Sequence, residues 1–567
     1  MARNVAIGIQ NFEDLRKKNY FYIDKTDFIK EWWDSGDSVT LITRPRRFGK
    51  TLNMSMIEQF FSLNYANRGD LFEGLSIWKH ETYRQIQGMY PVISLSFANI
   101  KETNYPLTSR RICELLKKQF QINDFLLESD KFSKYEKTYI EKMACEVSEF
   151  DAAMALNQLS DFLYRYYGKK VIILLDEYDT PMQEAYVNGF LDELVVFTRS
   201  LFNSTFKTNP CLERGLMTGI TRVSKESIFS DLNNLKVVTT TSDEYATCFG
   251  FTQEEVFAAL DENNLSNQKE GVKAWYDGFV FGKDSDIYNP WSILNFLDTN
   301  GEYATYWANT SGNRLVGKLI QEGTSEIKEL FEQLLKGESI KRPIDEQIVY
   351  NQLGVDDNAI WSLLVASGYL KILGYEKAEM IGEEEVMYEL AITNHEVKRM
   401  FYSMVRGWFN SVKRIYNDFV TAMLSENIKE MNIYMNKVSI ETFSYFDTGK
   451  RASGIEPERF YHGFVLGLIA DLSKDYMITS NRESGYGRYD VMLEPKDKKK
   501  KAYILEFKIH EPDEETSLRD TVDAALKQIE EKQYEASLLT KGFLKEQIYK
   551  YGFAFEGKKV LIGVTVQ

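Results

Sequence analysis

The chain has 567 residues, 44% hydrophobic and 27% charged, with a formal net charge of −15. That length gives room for several domains, each with its own core, and the acidic balance excludes a surface coated in cations, though not a local basic groove. Four scattered cysteines with no CxxC pair and four scattered histidines speak against a zinc site or a disulfide framework and fit a reducing compartment.

From the start to about residue 300, short apolar runs alternate with helical patterns. Ser38–Thr43, Pro91–Phe97, Val171–Leu175 and Gly215–Ile220 read as strands, and Thr51–Phe61 and Asp151–Tyr167 read as helices. Buried strands alternating with helices predict a parallel α/β sheet. No run approaches the ~20 apolar residues of a membrane span, and the N-terminus lacks an apolar signal core. A cytoplasmic protein without a membrane partner is expected.

The first strand runs into Arg44-Pro45-Arg46-Arg47-Phe48-Gly49-Lys50-Thr51 and then a helix. The pattern GxxxxGK[ST] at such a junction cradles phosphate with backbone N–H groups, a lysine and a hydroxyl that binds Mg²⁺. Arg46, Phe48, Gly49, Lys50 and Thr51 are therefore candidate nucleotide-binding residues. Arg44 stands where the pattern has its first glycine. The third strand ends in Asp176-Glu177. Carboxylates delivered there would complete the Mg²⁺ shell (Asp176, with Thr51) and polarise an attacking water (Glu177). Thr218, near the end of the next strand, could contact the γ-phosphate or its water, and Arg222 could stabilise transferred charge.

Residues 301–450 read as a mostly helical middle region after a first domain of 1–300. Within it, Ile360–Ser367 reads as a helix, Tyr369–Tyr375 and Glu385–Ile392 as strands, and His395–Trp408 as a helix. That outline fits a winged helix or a small α+β lid equally well. Residues 451–567 read as a third domain. Glu458–Leu472 reads as an amphipathic helix, Tyr489–Leu493 and Ala502–Ile509 as strands, Ser517–Ala536 as a helix and Lys559–Val566 as a last strand. The lysine-rich turn between the two strands reads as a solvated hairpin tip.

A turn centred near Lys498 places Asp490 opposite Glu506, and residues two apart on a strand share a face, so Glu506 and Lys508 point the same way. Asp490 and Glu506 could then hold Mg²⁺, with the Phe507 carbonyl adding a ligand, while Lys508 orients or deprotonates water. Charges interrupting apolar strands need partners or a metal. Glu458, Glu483 and Gln528 are candidate helpers. A surface hairpin with a Glu–Lys pair is the bland alternative.

The strings IGIQNFEDLRKKNYFYIDKT, RPRRFGKT, LLDEYDTP, TGITRVSKESIFS, WYDGFVFG, YNPWSILNFL and GYGRYD…LEFK resemble a bacterial family of AAA-ATPase-like proteins carrying a C-terminal PD-(D/E)xK nuclease domain. The resemblance implies an α/β multidomain architecture. Its parts would be a P-loop NTPase (AAA-like) parallel sheet of the additional-strand type, a helical or winged-helix middle and a restriction-endonuclease-like α/β end. It implies ATP and Mg²⁺ as cofactors, Lys50, Thr51, Asp176 and Glu177 at the nucleotide, and Asp490, Glu506 and Lys508 as the nuclease core. It also implies nucleic acid as partner, DNA being favoured, with defence or mobile-element biology as the setting. A homo-oligomer is compatible with this. The alternative is a nucleotide-operated switch or scaffold whose nuclease fold binds without cutting.

Overall fold

A computed structural model describes residues 3–221, 229, 232–307, 313–345, 353, 356–380, 383–408, 413–442, 465, 469, 472, 475–512, 515–557 and 559–565. The chain forms two compact units, one of Met1–Val316 with Ser339–Met400, the other of Gly317–Glu338 with Phe401–Gln567.

In the first unit, β1 (Val39–Thr43), β2 (Val92–Ser96), β3 (Val171–Asp176), β4 (Leu212–Gly219) and β5 (Leu235–Val238) form one sheet. Their order is β2-β3-β4-β1-β5, and every pairing is parallel. β1 and β3 are buried along their whole length, as expected of strands covered on both faces. β4 lies between them, which is the extra strand of the additional-strand type. The helix Lys50–Phe61 begins directly after Gly49, whose φ of 80° turns the chain out of the loop. The helix Glu149–Tyr167 is started by the Ser148 side chain and stopped by Gly168 in the left-handed conformation.

Two small modules follow in the same unit. β6 (Phe251–Thr252), β7 (Phe279–Phe281) and β8 (Asp284–Tyr288) form a sheet in the order β6-β8-β7, succeeded by the helix Pro290–Asp298 with Asn289 as its cap. Then β9 (Ile340–Pro343), the helix Asp357–Ala366, and the hairpin β10 (Leu370–Met380) and β11 (Glu383–Ile392) lead into the helix His395–Trp408. The helix–hairpin–helix order expected here is present, with strands longer than their apolar cores and β9 paired to β11 as a third strand.

The second unit holds β12 (Tyr476–Ser484), β13 (Gly487–Pro495), β14 (Ala502–Ile509), β15 (Ile548–Glu556) and β16 (Lys559–Val564), in that spatial order. All pairings are antiparallel except β14 with β15. One face carries Val491, Leu493, Tyr503, Leu505 and Phe507, packed with Phe419, Met423, Met431 and Met435. Those partners come from the helices Lys413–Leu424 and Ile428–Thr442. The other face sets Met492, Ile504 and Ala554 against Val522, Leu526 and Ile529 of the helix Leu518–Glu531. Asn432 and Asn436 bond the backbone of edge strand β16 at Ile562 and Val560, which closes an edge that would otherwise offer itself to another chain.

The sequence pattern misses β5, the small sheet of β6, β7 and β8, and β9, β12 and β15. The helix expected over Ser517–Ala536 ends at Glu531, because Gln533 takes a φ of 52° and the Tyr534 N–H turns back to the Ile529 carbonyl; Ala536–Thr540 is a separate short helix. The expected helix Glu458–Leu472 lies largely outside the described residues.

Candidate functional site

Lys50, Thr51, Asp176 and Thr218 meet at the carboxyl ends of β1, β3 and β4, where open α/β sheets bind ligands. Thr51 Oγ1 donates to Asp176 Oδ2 at 2.7 Å, and Thr218 Oγ1 donates to Asp176 Oδ1. Burial pushes the Asp176 carboxyl up, and these two hydroxyls oppose the shift. Lys50 Nζ donates to the Arg44 and Pro45 carbonyls at 2.8 Å each; burial pushes its pKa down, while Glu177, Asp176 and Asp179 counter it. Glu177 has a φ of 51°, and its carboxylate accepts from Thr180 Oγ1 at 3.1 Å. Thr218 thus reaches the acid at the end of β3, a contact its sequence position does not disclose. Arg222 lies outside the described residues.

The phosphate loop is shaped by residues far away in sequence. Its left-handed positions are Arg47, with a φ of 64°, and Gly49, so Arg44 need not be glycine. The Arg44 side chain is fully buried. It donates to the carbonyls of Thr43, Thr239 and Glu244 and lies 4.6 Å from the Phe281 ring centroid. Burial pushes its pKa down to about 10, which leaves it cationic at neutral pH. The Phe48 ring is 1% exposed and packs edge-on against Phe279 and Phe281; its side chain is a packing group, and only its backbone is left for phosphate. Arg46 Nη2 donates to Gln183, and the Arg46 carbonyl accepts from Asn289 Nδ2 at 3.2 Å and Trp307 Nε1 at 2.9 Å. The Arg47 guanidinium stacks over Trp291 at 4.3 Å. These contacts hold a non-glycine residue in a conformation that costs about 1–2 kcal/mol.

In the second unit, the β13–β14 ladder pairs Val491 with Leu505, Met492 with Ile504 and Leu493 with Tyr503, the register that sets Asp490 against Glu506. At that point side chains replace the ladder. The Phe507 N–H donates to Asp490 Oδ2 at 2.8 Å, and the Asp490 N–H donates to Glu506 Oε2 at 3.4 Å. Glu506 is 2% exposed, so its carboxylate needs partners; Gln528 Nε2 donates to it and also to the Tyr534 hydroxyl. Lys508 is half-buried on the same strand, two residues on. Glu458 lies outside the described residues.

Among the described residues no group of three or more His, Cys, Asp or Glu side chains is arranged to hold a metal. Asp490 and Glu506 still fit a hard divalent cation by chemistry, because such ions take carboxylate oxygens as ligands, with water completing the shell. An open groove of about 810 Å³ lined by residues such as Tyr105, Phe150, Met154 and Val196 contains none of the motif residues.

Residues 6–229 match a family described as "Predicted AAA-ATPase", and residues 456–565 match the PD-(D/E)XK nuclease superfamily. The chain joins an AAA-ATPase-like domain to a PD-(D/E)XK nuclease-like domain. It is also 27% identical over 398 residues to a protein of Azotobacter chroococcum mcd 1 described as "Uncharacterized protein in vnfD 5'region", covering 70% of this chain and 68% of that one. No helix among the described residues is long and apolar enough to cross a membrane.

In the ATPase-like domain, Asp24 accepts from Thr26 and from the Ser76 N–H, and Lys25 bridges to Glu255 and the Thr247 carbonyl. That opening string is scaffold. Asp179, five residues after the start of LLDEYDTP, is fully buried and accepts from the Ile220 and Thr221 N–H groups and the Thr221 hydroxyl. It fixes the chain where it leaves β4. Asn289 and Trp307 were invisible as loop partners, because nothing local in their sequence points to residue 46.

Proposed function

We propose that the chain is a nucleotide-responsive, divalent-metal-dependent phosphodiesterase acting on nucleic acid, DNA being the favoured polymer. The observation that carries this reading is the bonded set Asp490–Glu506–Gln528 beside Lys508, a buried acid kept in place at a point where the strand would otherwise be apolar. Asp490 and Glu506 would hold the cation, which when bound supplies Lewis acidity toward a phosphate and a more acidic water. Gln528 orients Glu506. Lys508, on the face of Glu506, holds or takes a proton from the attacking water, or neutralises charge on the phosphate.

In the ATPase-like domain, Lys50 and the N–H groups at the start of its helix would receive the phosphates, Thr51 and Asp176 would hold Mg²⁺, and Glu177 would orient water. Coupling between the two activities is favoured by the contacts of the helix–hairpin module. Gly368 and Tyr369 of that module border the phosphate loop, and both ends of Ser339–Met400 continue into segments of the other unit.

The test is a panel of single- and double-stranded DNA and RNA incubated with the full chain, Mg²⁺ and ATP. Phosphodiester cleavage that depends on Mg²⁺ and changes with ATP or with Lys50→Ala is expected. An intact panel under all conditions would sink the reading. Tight ATP binding without turnover or cutting would instead select the switch.

A further inference from the structure

The turn between β12 and β13 presents a large aromatic ring to solvent on a backbone that is tightly fixed. Tyr486 is 76% exposed, yet its N–H donates to the Lys532 carbonyl at 2.8 Å. Gly485 has a φ of +62°, and a Cβ there would lie 2.2 Å from the same carbonyl oxygen, so only glycine lets the turn come this close. Ser484 Oγ donates to the Tyr534 carbonyl at 2.7 Å and accepts from the Ser537 N–H. An exposed tyrosine on a mobile loop would need no explanation; one on a turn pinned at three consecutive residues has its ring presented at little entropic cost.

The same groups that pin the turn also hold the acidic site. Gln528, the donor to Glu506, lies one helical turn before Lys532, whose N–H bonds the Gln528 carbonyl at 3.0 Å. Tyr534 accepts from Gln528 through its hydroxyl and from Ser484 through its carbonyl. Asp490, on β13, follows Tyr486 by four residues, at most about 13 Å at strand rise. Arg488 between them and Lys532 beside them are both exposed. Aromatic rings interleaved with cations are what a single strand of nucleic acid needs, bases stacking on the rings and phosphates meeting the cations. Within a duplex each base is already paired and stacked on its neighbours, so an outside ring gains only an unpaired base.

We propose that Tyr486 is a stacking platform for an unpaired nucleobase next to the Asp490–Glu506 site, with Arg488 and Lys532 receiving the flanking phosphates, so that the preferred substrate is a single strand or an open end. This rests on the nuclease reading and names its substrate class.

The test is equilibrium binding of the full chain in EDTA to fluorescein-labelled oligothymidylate, oligouridylate and a blunt duplex of equal length, with metal-dependent cleavage measured in parallel. Tyr486→Ala should weaken binding of a single strand about tenfold and leave the duplex affinity unchanged, while Tyr486→Trp retains the single-strand affinity. The two single-stranded probes tell DNA from RNA. Thermal unfolding of both variants should match wild type, since the ring is exposed. Equal single-strand affinity for wild type and Tyr486→Ala, or an equal loss on all three probes, overturns the proposal. If wild type still cuts nucleic acid in that case, only the platform falls; if wild type neither binds nor cuts, the nuclease reading falls with it.

Discussion

Arg44 is a buried cation whose hydrogen bonds go to main-chain carbonyls of Thr43, Thr239 and Glu244. Removing it takes a donor from all three, although the Thr239 carbonyl keeps the Ser242 N–H, and unsatisfied buried polar groups cost about 1–3 kcal/mol each. Arg44→Gly restores the glycine of the phosphate-loop pattern, but it should lower unfolding stability by about 3 kcal/mol in a urea titration and bring no gain in ATP turnover. A glycine variant of wild-type stability and faster turnover would contradict this. Asp277 gives a pH prediction. Burial first, and neighbouring Asp286 second, raise its carboxyl to about 6. Between an unfolded value of about 4 and that figure, the native chain binds the proton more readily than the unfolded one. The contribution of this group to stability is therefore largest in acid and is lost as pH rises through about 6. Asp277→Asn should be more stable than wild type at neutral pH, with a flatter stability profile across that window by thermal unfolding.

At the scale of elements, Gly368 joins the helix Asp357–Ala366 to β10 with a φ of +79°, and a Cβ there would lie 2.7 Å from Pro45 Cγ and 2.9 Å from the Phe279 ring. The ring of Tyr369 lies 5.4 Å from that of Trp307, which holds the Arg46 carbonyl. Gly368→Val should push the module off the phosphate loop and lower nucleotide affinity about tenfold while the fold is kept, as read by nucleotide titration beside circular dichroism. Unchanged affinity would show that the loop is indifferent to the module. The elements also mark where sequence reasoning works. The β13–β14 register was legible because one turn links the two strands and a single count places Asp490 against Glu506. β12 and β15 were not, since YMITSNRES and IYKYGFAFE carry polar residues in place of an unbroken apolar run. The Arg44 cage was not legible either, because two of its three acceptors lie about 200 positions away.

Across the whole molecule, the chain passes between the two units at Val316/Gly317, Glu338/Ser339 and Met400/Phe401, and the first and last of these fall inside the helices Asn313–Glu322 and His395–Trp408. The module that borders the phosphate loop is thus covalently continuous at both ends with the unit that carries Asp490, Glu506 and Lys508. On the reading proposed here, nucleotide shifts the population of states in one unit and the other responds through that module. The C-terminal set Asp490, Glu506 and Lys508 is proposed to do metal-dependent chemistry on phosphodiesters. That chemistry is tested most directly by the rate of strand cleavage against Mg²⁺ concentration for wild type and Lys508→Ala, with thermal unfolding as a control. The account predicts Mg²⁺-dependent cutting by wild type and a loss of at least about a hundredfold in the equally stable variant; equal cutting by both, or cutting that persists in EDTA, would contradict it.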